Sequence, residues 1–195
     1  MKKKALFIDR DGVINAMFMQ KDGFFDSPQN KGQIRLVENI EKVIGWANSH
    51  TIPVIEISNQ PGFALGKMNM ETLEDIENSI HNQLAKKGAT IDAAYRCFHH
   101  PKSQQPEFAI ICDCRKPKPG LLLRAAREHD IDLESSVMIG DNVTDMEAAK
   151  LAGCATLLFV HDNDLPKKVE ANKAYQGTHT AKNHKDTLKI IKKLL

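Results

Sequence analysis

Residues 5–12 read ALFIDRDG, and this short stretch decides how the rest of the sequence is interpreted. A run of apolar residues that ends abruptly at a charge is typical of a strand buried on both faces of a parallel sheet. Asp9 and Asp11 follow this strand directly, and Gly12 allows the backbone to turn sharply beside a ligand. Two carboxylates in one small space repel each other unless a cation or a shared proton compensates them. The stretch therefore predicts a buried strand that leads into a cation-binding or acid–base site.

Outward from this stretch, short apolar runs alternate with helical patterns along the chain. Further strands are predicted at 53–57, 93–96, 137–139 and 155–160, and helices at 36–47, 69–88, 117–126 and 146–153. Strands that alternate with helices predict an α/β fold, with a mostly parallel sheet and helices on both of its faces. In such sheets, ligands bind at the carboxyl ends of the strands. We therefore expect catalytic and ligand-binding residues directly after the predicted strands.

The composition limits the classes of protein that the chain can belong to. It has 195 residues, of which 42% are hydrophobic and 27% are charged, and a formal net charge of +2. These values predict a single globular domain over residues 1–195, and the small net charge gives no reason to expect a nucleic-acid or membrane partner. The first residues carry too short an apolar run for a secretory signal, so we expect a cytoplasmic protein. We also expect a monomer that acts on a small molecule.

Two segments lie outside the strand–helix alternation. Residues 17–33 are polar and contain glycine and proline, so we expect a loop over the sheet edge. The basic residues 161–195 are expected to be a solvated terminal segment that ends in a short helix at 188–195, with a polyanion-binding tail as the alternative.

Four motifs fall at predicted strand ends, and their residue types suit phosphate chemistry. Asp9 can act as a nucleophile and Asp11 as a general acid and base. The hydroxyl group of Ser58 can donate to phosphate oxygens, and the basic pair Arg115 and Lys116 can balance their charge. The alternative explanations are a turn with exposed acids, a polar turn and a solvated basic turn. We favour phosphate chemistry because each alternative explains only one motif, and all four would then have to occur together by chance.

The fourth motif is GDNVTD at 140–145. Mg²⁺ prefers a few carboxylates together with water and substrate phosphate, so Asp141 is a candidate ligand beside Asp9. Asp145 is expected to orient the ligands or the lysine, and a helix N-cap is the alternative role for this motif.

The sequence resembles the haloacid dehalogenase superfamily of phosphotransferases over about residues 4–160. The stretches FIDRDGVIN, SNQPG, CRKPKPG and MIGDNVTDMEAAKLAG resemble its subgroup of D-glycero-D-manno-heptose 1,7-bisphosphate phosphatases and histidinol-phosphatases. The resemblance implies a Rossmann-like three-layer sandwich with a minimal cap. It also implies Mg²⁺-dependent hydrolysis of a phosphomonoester through an aspartyl-phosphate, with removal of the 7-phosphate of the heptose bisphosphate as the preferred reaction.

The resemblance also assigns roles to individual residues. Asp9 is the nucleophile, Asp11 is the acid and base and offers its backbone carbonyl to Mg²⁺, and Asp141 is the second carboxylate ligand. Ser58 and Lys116 complete the catalytic set. The side chains expected to contact the substrate are those of Asn59, Gln60, Arg115 and Asn142, and Asp145 is expected to support the site.

A cluster of cysteine and histidine lies between residues 97 and 114. Its spacing is Cys-x-His, twelve intervening residues and Cys-x-Cys, which supplies Cys97, Cys112, Cys114 and one imidazole. Three thiolates and one imidazole form a closed tetrahedral shell, which predicts a structural zinc ion. Both His99 and His100 are available, and the resemblance to the subgroup favours His99. Buried thiols beside an exposed histidine pair are the alternative.

Three other functions remain open at the level of the sequence. The first is the hydrolysis of histidinol phosphate or another small phosphomonoester, because Leu65 stands where the heptose enzymes usually carry an arginine. The second is the hydrolysis of phosphate from a polynucleotide, but the nearly neutral charge balance argues against binding of DNA. The third is a zinc-stabilised binding module without activity, which disagrees with the presence of Asp9, Asp11 and Asp141 together.

Overall fold

The computed structural model describes residues 2–21, 23–162, 164, 166–173 and 179–195. Within these ranges the strands are β1 Leu6–Ile8, β2 Phe18–Met19, β3 Phe25–Asp26, β4 Val54–Asn59, β5 Ala93–Cys97, β6 Val137–Gly140, β7 Ala155–Phe159 and β8 His179–Ala181. The α-helices are α1 Ile40–Ser49, α2 Met70–Ala85, α3 Gly120–His129, α4 Val143–Ala152, α5 Pro166–Asn172 and α6 His184–Leu194. All of the strands and helices predicted from the apolar pattern are present.

A six-stranded parallel sheet forms the centre of the fold. Its strand order is β5-β4-β1-β6-β7-β8, and β1 pairs with β4 on one side and with β6 on the other. The chain first builds the sheet outward from β1 through β4 to β5 and then returns to build the other half. The strand order therefore reverses at β1, and the crevice at such a reversal is where ligands bind in open α/β sheets.

Each face of the sheet carries its own hydrophobic core. Leu6 and Ile8 point into the cluster that contains the apolar faces of α1, α2 and α6. Phe7 points into the opposite cluster, which contains residues of α3 and α4. Because all three residues of β1 are fully buried, the strand has no solvent-facing side, as its continuous apolar run predicts. The predicted three-layer α/β architecture is confirmed.

Two predictions about the remaining segments need correction. Residues 17–33 are not a plain loop, because β2 and β3 pair as an antiparallel hairpin and residues 31–33 form a 3-10 turn. The C-terminal segment is not merely solvated, because β8 extends the parallel sheet and α6 starts at His184, with Ile191 fully buried. These short strands escaped prediction because none contains a run of apolar residues long enough to be distinguished from a loop. Within the described residues, no helix is both long and apolar enough to cross a membrane.

His184 links the C-terminal segment to the turn after β1. Its ring is 1% exposed and stacks on Phe159 with a centroid distance of 4.4 Å, and its Nε2 lies 2.9 Å from the backbone carbonyl oxygen of Val13. Burial lowers the pKa of His184 to about 4, so the folded protein favours the neutral ring, which donates from Nε2.

This shift predicts how stability depends on pH. The contribution of neutral His184 is complete above the unfolded pKa of about 6.5 and is lost as the pH falls toward 4. Between pH 7.5 and pH 5 we expect this group to lower the free energy of unfolding by about 2 kcal/mol. His184→Gln retains an amide donor without a titratable ring, so the variant should lack this part of the pH dependence in urea unfolding. If the free energy of unfolding fell equally with pH in wild type and in His184→Gln, His184 would not be the group that causes this pH dependence.

Candidate active site

The carboxyl ends of β1, β4 and β6 open into one cavity of about 1010 Å³. All but one of the residues predicted for phosphate and Mg²⁺ chemistry line it: Asp9, Asp11, Ser58, Asn59, Arg115, Lys116, Asp141, Asn142 and Asp145. Parallel strands end at the same edge of a sheet, which explains why residues so far apart in sequence meet there.

Lys116 is the buried cation at the base of this cavity. Its Nζ lies 2.8 Å from Asp9 Oδ1 and 2.6 Å from Asp145 Oδ1, and it also donates to the backbone carbonyl oxygen of Ile57 at 2.7 Å. Burial alone would lower the pKa of Lys116, but Asp145 and Asp9 outweigh that effect and raise it. Lys116 is therefore held as a charged ammonium group that fixes the orientation of Asp9.

The carboxylates outnumber the cations at this point of the sheet. Burial raises the pKa of Asp9 to about 7, with Lys116 opposing the shift and Asp145 adding to it. Burial likewise raises the pKa of Asp141 and of Asp145, each against the attraction of a nearby lysine. A cluster of this kind gains from additional positive charge, which a divalent cation would supply.

Asp11 is held in place by hydrogen bonds from three neighbours. Arg10 Nη2 and Gln60 Nε2 donate to its Oδ2 at 3.0 and 2.6 Å, and Asn15 Nδ2 donates to its Oδ1 at 2.9 Å. Gln60 also bonds to Arg10 and to Ser58 Oγ, and it is only 3% exposed. Gln60 thus lies beneath Asp11, where it positions the carboxylate, and not on the cavity wall as expected of a substrate-binding residue.

The loops after β4 and before α3 are joined to each other by Asn59. Its Nδ2 donates to the backbone carbonyl oxygen of Lys116 and its Oδ1 accepts from the backbone N–H of the same residue, both at 3.1 Å. The amide of Asn59 therefore positions Lys116. Arg115 donates to the backbone carbonyl oxygen of His99 at 3.2 Å and lines the cavity, so the Cys/His loop and the site are in contact.

Asp141 approaches the turn after β1 at Gly12. The φ of Gly12 is +91°, and a Cβ there would lie 2.2 Å from Asp141 Oδ2, so only glycine fits. The backbone N–H of Asn142 donates to Asp145 Oδ2 at 3.0 Å, and Asn142 Oδ1 accepts from the backbone N–H of Thr144, which forms a capping box at the start of α4. Asp145 therefore both caps the helix and pairs with Lys116, so the two roles considered for it are compatible.

Carboxylate oxygens of Asp9, Asp141 and Asp145 lie within 4.8 Å of one another. Mg²⁺ prefers oxygen ligands and is usually bound by one or two carboxylates with water and phosphate. Both oxygens of Asp145 are engaged, Oδ1 by Lys116 and Oδ2 by the backbone N–H of Asn142, whereas Asp9 and Asp141 each contact a lysine through one oxygen. Asp9 and Asp141 are therefore the two carboxylates that fit the ion. The donor set therefore suits a magnesium site.

The Cys/His cluster forms a second group that could hold a metal ion. Ligand atoms of Cys97, His99, Cys112 and Cys114 lie within 4.8 Å of one another, and His99 Nδ1 is 3.2 Å from Cys114 Sγ. His100 instead accepts a hydrogen bond from the backbone N–H of Lys102. All four cysteines lie in the described part of the chain and carry free thiols, and the geometry distinguishes between the two histidines in favour of His99.

Several residues at the site were missed by the sequence analysis, among them Arg10, His161 and Lys168. Arg10 is fully buried and holds Asp11, His161 Nε2 lies 2.6 Å from the backbone carbonyl oxygen of Gly12, and Lys168 contacts Asp141. A charged residue between two aspartates was a visible signal for Arg10. His161 directly follows the strand predicted at 155–160, so the strand-end rule was a visible signal for it. Lys168 lies in α5, where nothing in the local pattern indicates contact with the site.

Comparison with known proteins identifies relatives with the same architecture. Residues 113–187 match the family model described as HAD-hydrolase-like. The chain is 36% identical to the D-glycero-beta-D-manno-heptose-1,7-bisphosphate 7-phosphatase of Photorhabdus laumondii, over 87% of this chain and 86% of that protein. It is 33% identical to the protein of the same name from Escherichia coli K12, over 80% and 78%.

The crystal structure of D,D-heptose 1,7-bisphosphate phosphatase from B. bronchiseptica, complexed with magnesium and phosphate, superposes with a TM-score of 0.80. The two chains are 27% identical, and the alignment covers 98% of this chain and 99% of that one.

A lysine and paired aspartates at the point where a parallel sheet reverses suit the cleavage of phosphate esters, and the curated relatives are named as phosphatases. By class the protein is an α/β phosphatase, and the alternative of a binding module without activity is set aside. Within that class, the chain belongs to the haloacid-dehalogenase-like hydrolase family, since its relatives match it over most of their length.

Proposed function

We propose that the protein is a Mg²⁺-dependent phosphomonoester hydrolase that removes the 7-phosphate of D-glycero-D-manno-heptose 1,7-bisphosphate through an aspartyl-phosphate at Asp9. The observation that carries this proposal is the contact of Lys116 with both Asp9 and Asp145 at the base of the cavity. A single-domain monomer with a small-molecule substrate fits this function. The names of the curated relatives support the choice of substrate.

Residues of this chain account for each step of the proposed reaction. A carboxylate oxygen of Asp9 attacks phosphorus, and the bond from phosphorus to the ester oxygen breaks. Asp11 gives its proton to that oxygen, so the alcohol leaves neutral. Asp11 then takes a proton from a water molecule that attacks the aspartyl-phosphate, which releases inorganic phosphate and restores Asp9.

The other residues bind and orient the phosphoryl group. Lys116 fixes Asp9 and balances charge on the phosphoryl oxygens, and Ser58 and Arg115 provide further donors at the cavity wall. Mg²⁺, held by Asp9, Asp141 and the backbone carbonyl of Asp11, would neutralise the phosphate and allow an anionic nucleophile to approach it.

One observation favours a second candidate substrate. Leu65 lines the cavity together with Met17, Phe25 and Met68, so part of the wall is apolar, although Lys67 lines it as well. A small monophosphate such as histidinol phosphate would fit this wall with fewer charged contacts.

A panel of phosphomonoesters tests the proposal. Release of inorganic phosphate is measured with excess Mg²⁺ and after treatment with EDTA, for the heptose bisphosphate, several sugar monophosphates, histidinol phosphate and p-nitrophenyl phosphate. We expect the highest kcat/KM for the heptose bisphosphate and the loss of all activity in EDTA. A higher kcat/KM for a monophosphate would mean that this monophosphate, and not the heptose bisphosphate, is the preferred substrate. Full activity in EDTA would refute the metal dependence.

We also propose that Cys97, His99, Cys112 and Cys114 bind a structural zinc ion. The reason is the closed set of four ligand atoms, which leaves no open position for a substrate. The ion would fix residues 98–113 and, through the contact of Arg115 with His99, one wall of the cavity.

The zinc proposal predicts the effect of Cys112→Ser. The loss of one thiolate should reduce the zinc content from about one ion per chain to nearly none and lower Tm by about 10 °C. Zinc is measured by mass spectrometry of the digested protein, and Tm by differential scanning fluorimetry. Cys154→Ser is the matched control, since this buried cysteine lies outside the cluster. Equal zinc content in wild type and Cys112→Ser would exclude the site.

A further inference from the structure

Lys168 lies in α5, outside the motifs on which the proposed function depends, yet it reaches the carboxylate cluster. Its Nζ is 2.5 Å from Asp141 Oδ2 and 2.9 Å from Asp164 Oδ1. The side chain lines the cavity and is 22% exposed. Its ammonium group therefore bridges a predicted metal ligand and a second carboxylate at the edge of the cavity.

The surrounding contacts show that this position is built into the fold. Asp164 Oδ2 accepts a hydrogen bond from the backbone N–H of His161 at 3.1 Å, which fixes the carboxylate that holds Lys168. Asn172, at the end of α5, is buried and donates from Nδ2 to the backbone carbonyl oxygen of Asp141 at 3.0 Å. The helix thus contacts Asp141 at both its side chain and its backbone, so Lys168 is held in register with the metal ligand.

Two physical consequences follow from a cation at this position. A divalent ion at Asp141 meets the repulsion of the ammonium group and competes with it for the same carboxylate, so Lys168 lowers the affinity of the site for metal. An anionic phosphoryl group in the same cavity is attracted to the ammonium group, which Asp164 keeps at the wall.

We propose that Lys168 is a further binding residue of this site, which competes with the divalent cation for Asp141 and binds the phosphoryl oxygens of the substrate. The proposal rests on the proposed function in that it assigns Asp141 to the metal. It makes opposite predictions for the two ligands, because removal of the charge strengthens the binding of metal and weakens the binding of phosphate ester.

The affinity for metal is measured first, without substrate, by isothermal titration of Mg²⁺ into the full-length protein. We expect Lys168→Met to lower the Kd for Mg²⁺ by about tenfold and Lys168→Arg, which retains the charge, to stay within about threefold of wild type. Lys182→Met is the control, because Lys182 lines the same cavity but pairs with exposed Asp162 at 3.7 Å. An unchanged or higher Kd in Lys168→Met would overturn the proposal.

Kinetics at saturating Mg²⁺ test the proposed role of Lys168 in binding the phosphoryl oxygens of the substrate. For p-nitrophenyl phosphate, Lys168→Met should raise KM by about tenfold and change kcat by less than about threefold, whereas a purely structural role would lower kcat together with Tm. An unchanged KM would overturn the role in substrate binding. A failure of the proposed function is recognised separately, since it would leave wild type itself without activity or without Mg²⁺ binding.

Discussion

Asp9→Asn is expected to lower kcat for phosphomonoesters by roughly 10⁴-fold or more, because it removes the atom that attacks phosphorus. An asparagine amide cannot form the acyl phosphate that the reaction requires, while its size and its hydrogen-bonding positions remain nearly the same. Binding of the substrate should survive, so a loss confined to kcat is the specific signature of a nucleophile.

The stability of this variant provides a second readout. Burial raises the pKa of Asp9 and two further buried carboxylates surround it, so replacement by a neutral amide removes like-charge repulsion. We therefore expect Tm to stay within a few degrees of wild type, which excludes unfolding as the cause of the lost activity.

Asp75→Asn is the matched control for this experiment, since it makes the same chemical change at an exposed residue of α2 that pairs with Lys31. It should retain full activity. Asp9→Ala should be as inactive as Asp9→Asn, and mass spectrometry of the asparagine variant excludes deamidation back to aspartate. Residual activity of more than a few per cent in Asp9→Ala would mean that another group attacks phosphorus.

The position of Asp9 could be predicted because two local rules lead to it. A continuous apolar run predicts a strand buried on both faces, and parallel strands bring their carboxyl ends to one edge. The same rules bring Ser58 and Asp141 to the cavity, and the structure places both there. The prediction of a strand end is wrong for Arg115 and Lys116, which reach the cavity from the loop before α3. What these side chains do in the reaction stays a prediction until the variants are measured.

The contact of Lys168 with Asp141 could not be predicted in this way, although the position of His161 directly after β7 could. Lys168 is 27 residues beyond Asp141, and His161 is 149 residues beyond Gly12. A lysine in a polar segment has the same local appearance whether it faces solvent or a distant carboxylate. Only the placement of α5, which also contacts Asp141 through Asn172, distinguishes the two cases.

Gln60 shows a different limit of sequence reasoning. The SNQ motif indicates polar side chains at a strand end, and this is where the structure places them. Which of these amides faces the ligand depends on the buried Arg10, which accepts no hydrogen bonds and must find acceptors within the protein. Gln60 Oε1 and Asp11 accept from Nη2 and Nε of Arg10, so Gln60 is turned away from the cavity, and among the described residues Nη1 finds no partner.

Lys116→Met is expected to lower both the activity and the stability of the protein. The loss of the ammonium group should lower kcat/KM by about 10³-fold, because the charge that orients Asp9 and balances the phosphoryl oxygens disappears. The free energy of unfolding should fall by roughly 3–5 kcal/mol, since Asp9 and Asp145 remain buried without their cation. Lys150→Met, at an exposed position of α4, should change neither quantity.

The double variant Lys116→Met/Asp145→Asn separates the two effects. The Asp145→Asn substitution removes the charge that Lys116 compensates, and the new amide oxygen can still accept the backbone hydrogen bond of the capping box. We expect urea unfolding to recover more than half of the lost free energy, while activity stays as low as in the single variant. Such a result means that the two residues are coupled in stability and that Lys116 acts on the reaction directly. Losses of stability that are strictly additive with those of Asp145→Asn alone would show instead that the ion pair of Lys116 with Asp145 does not contribute to stability.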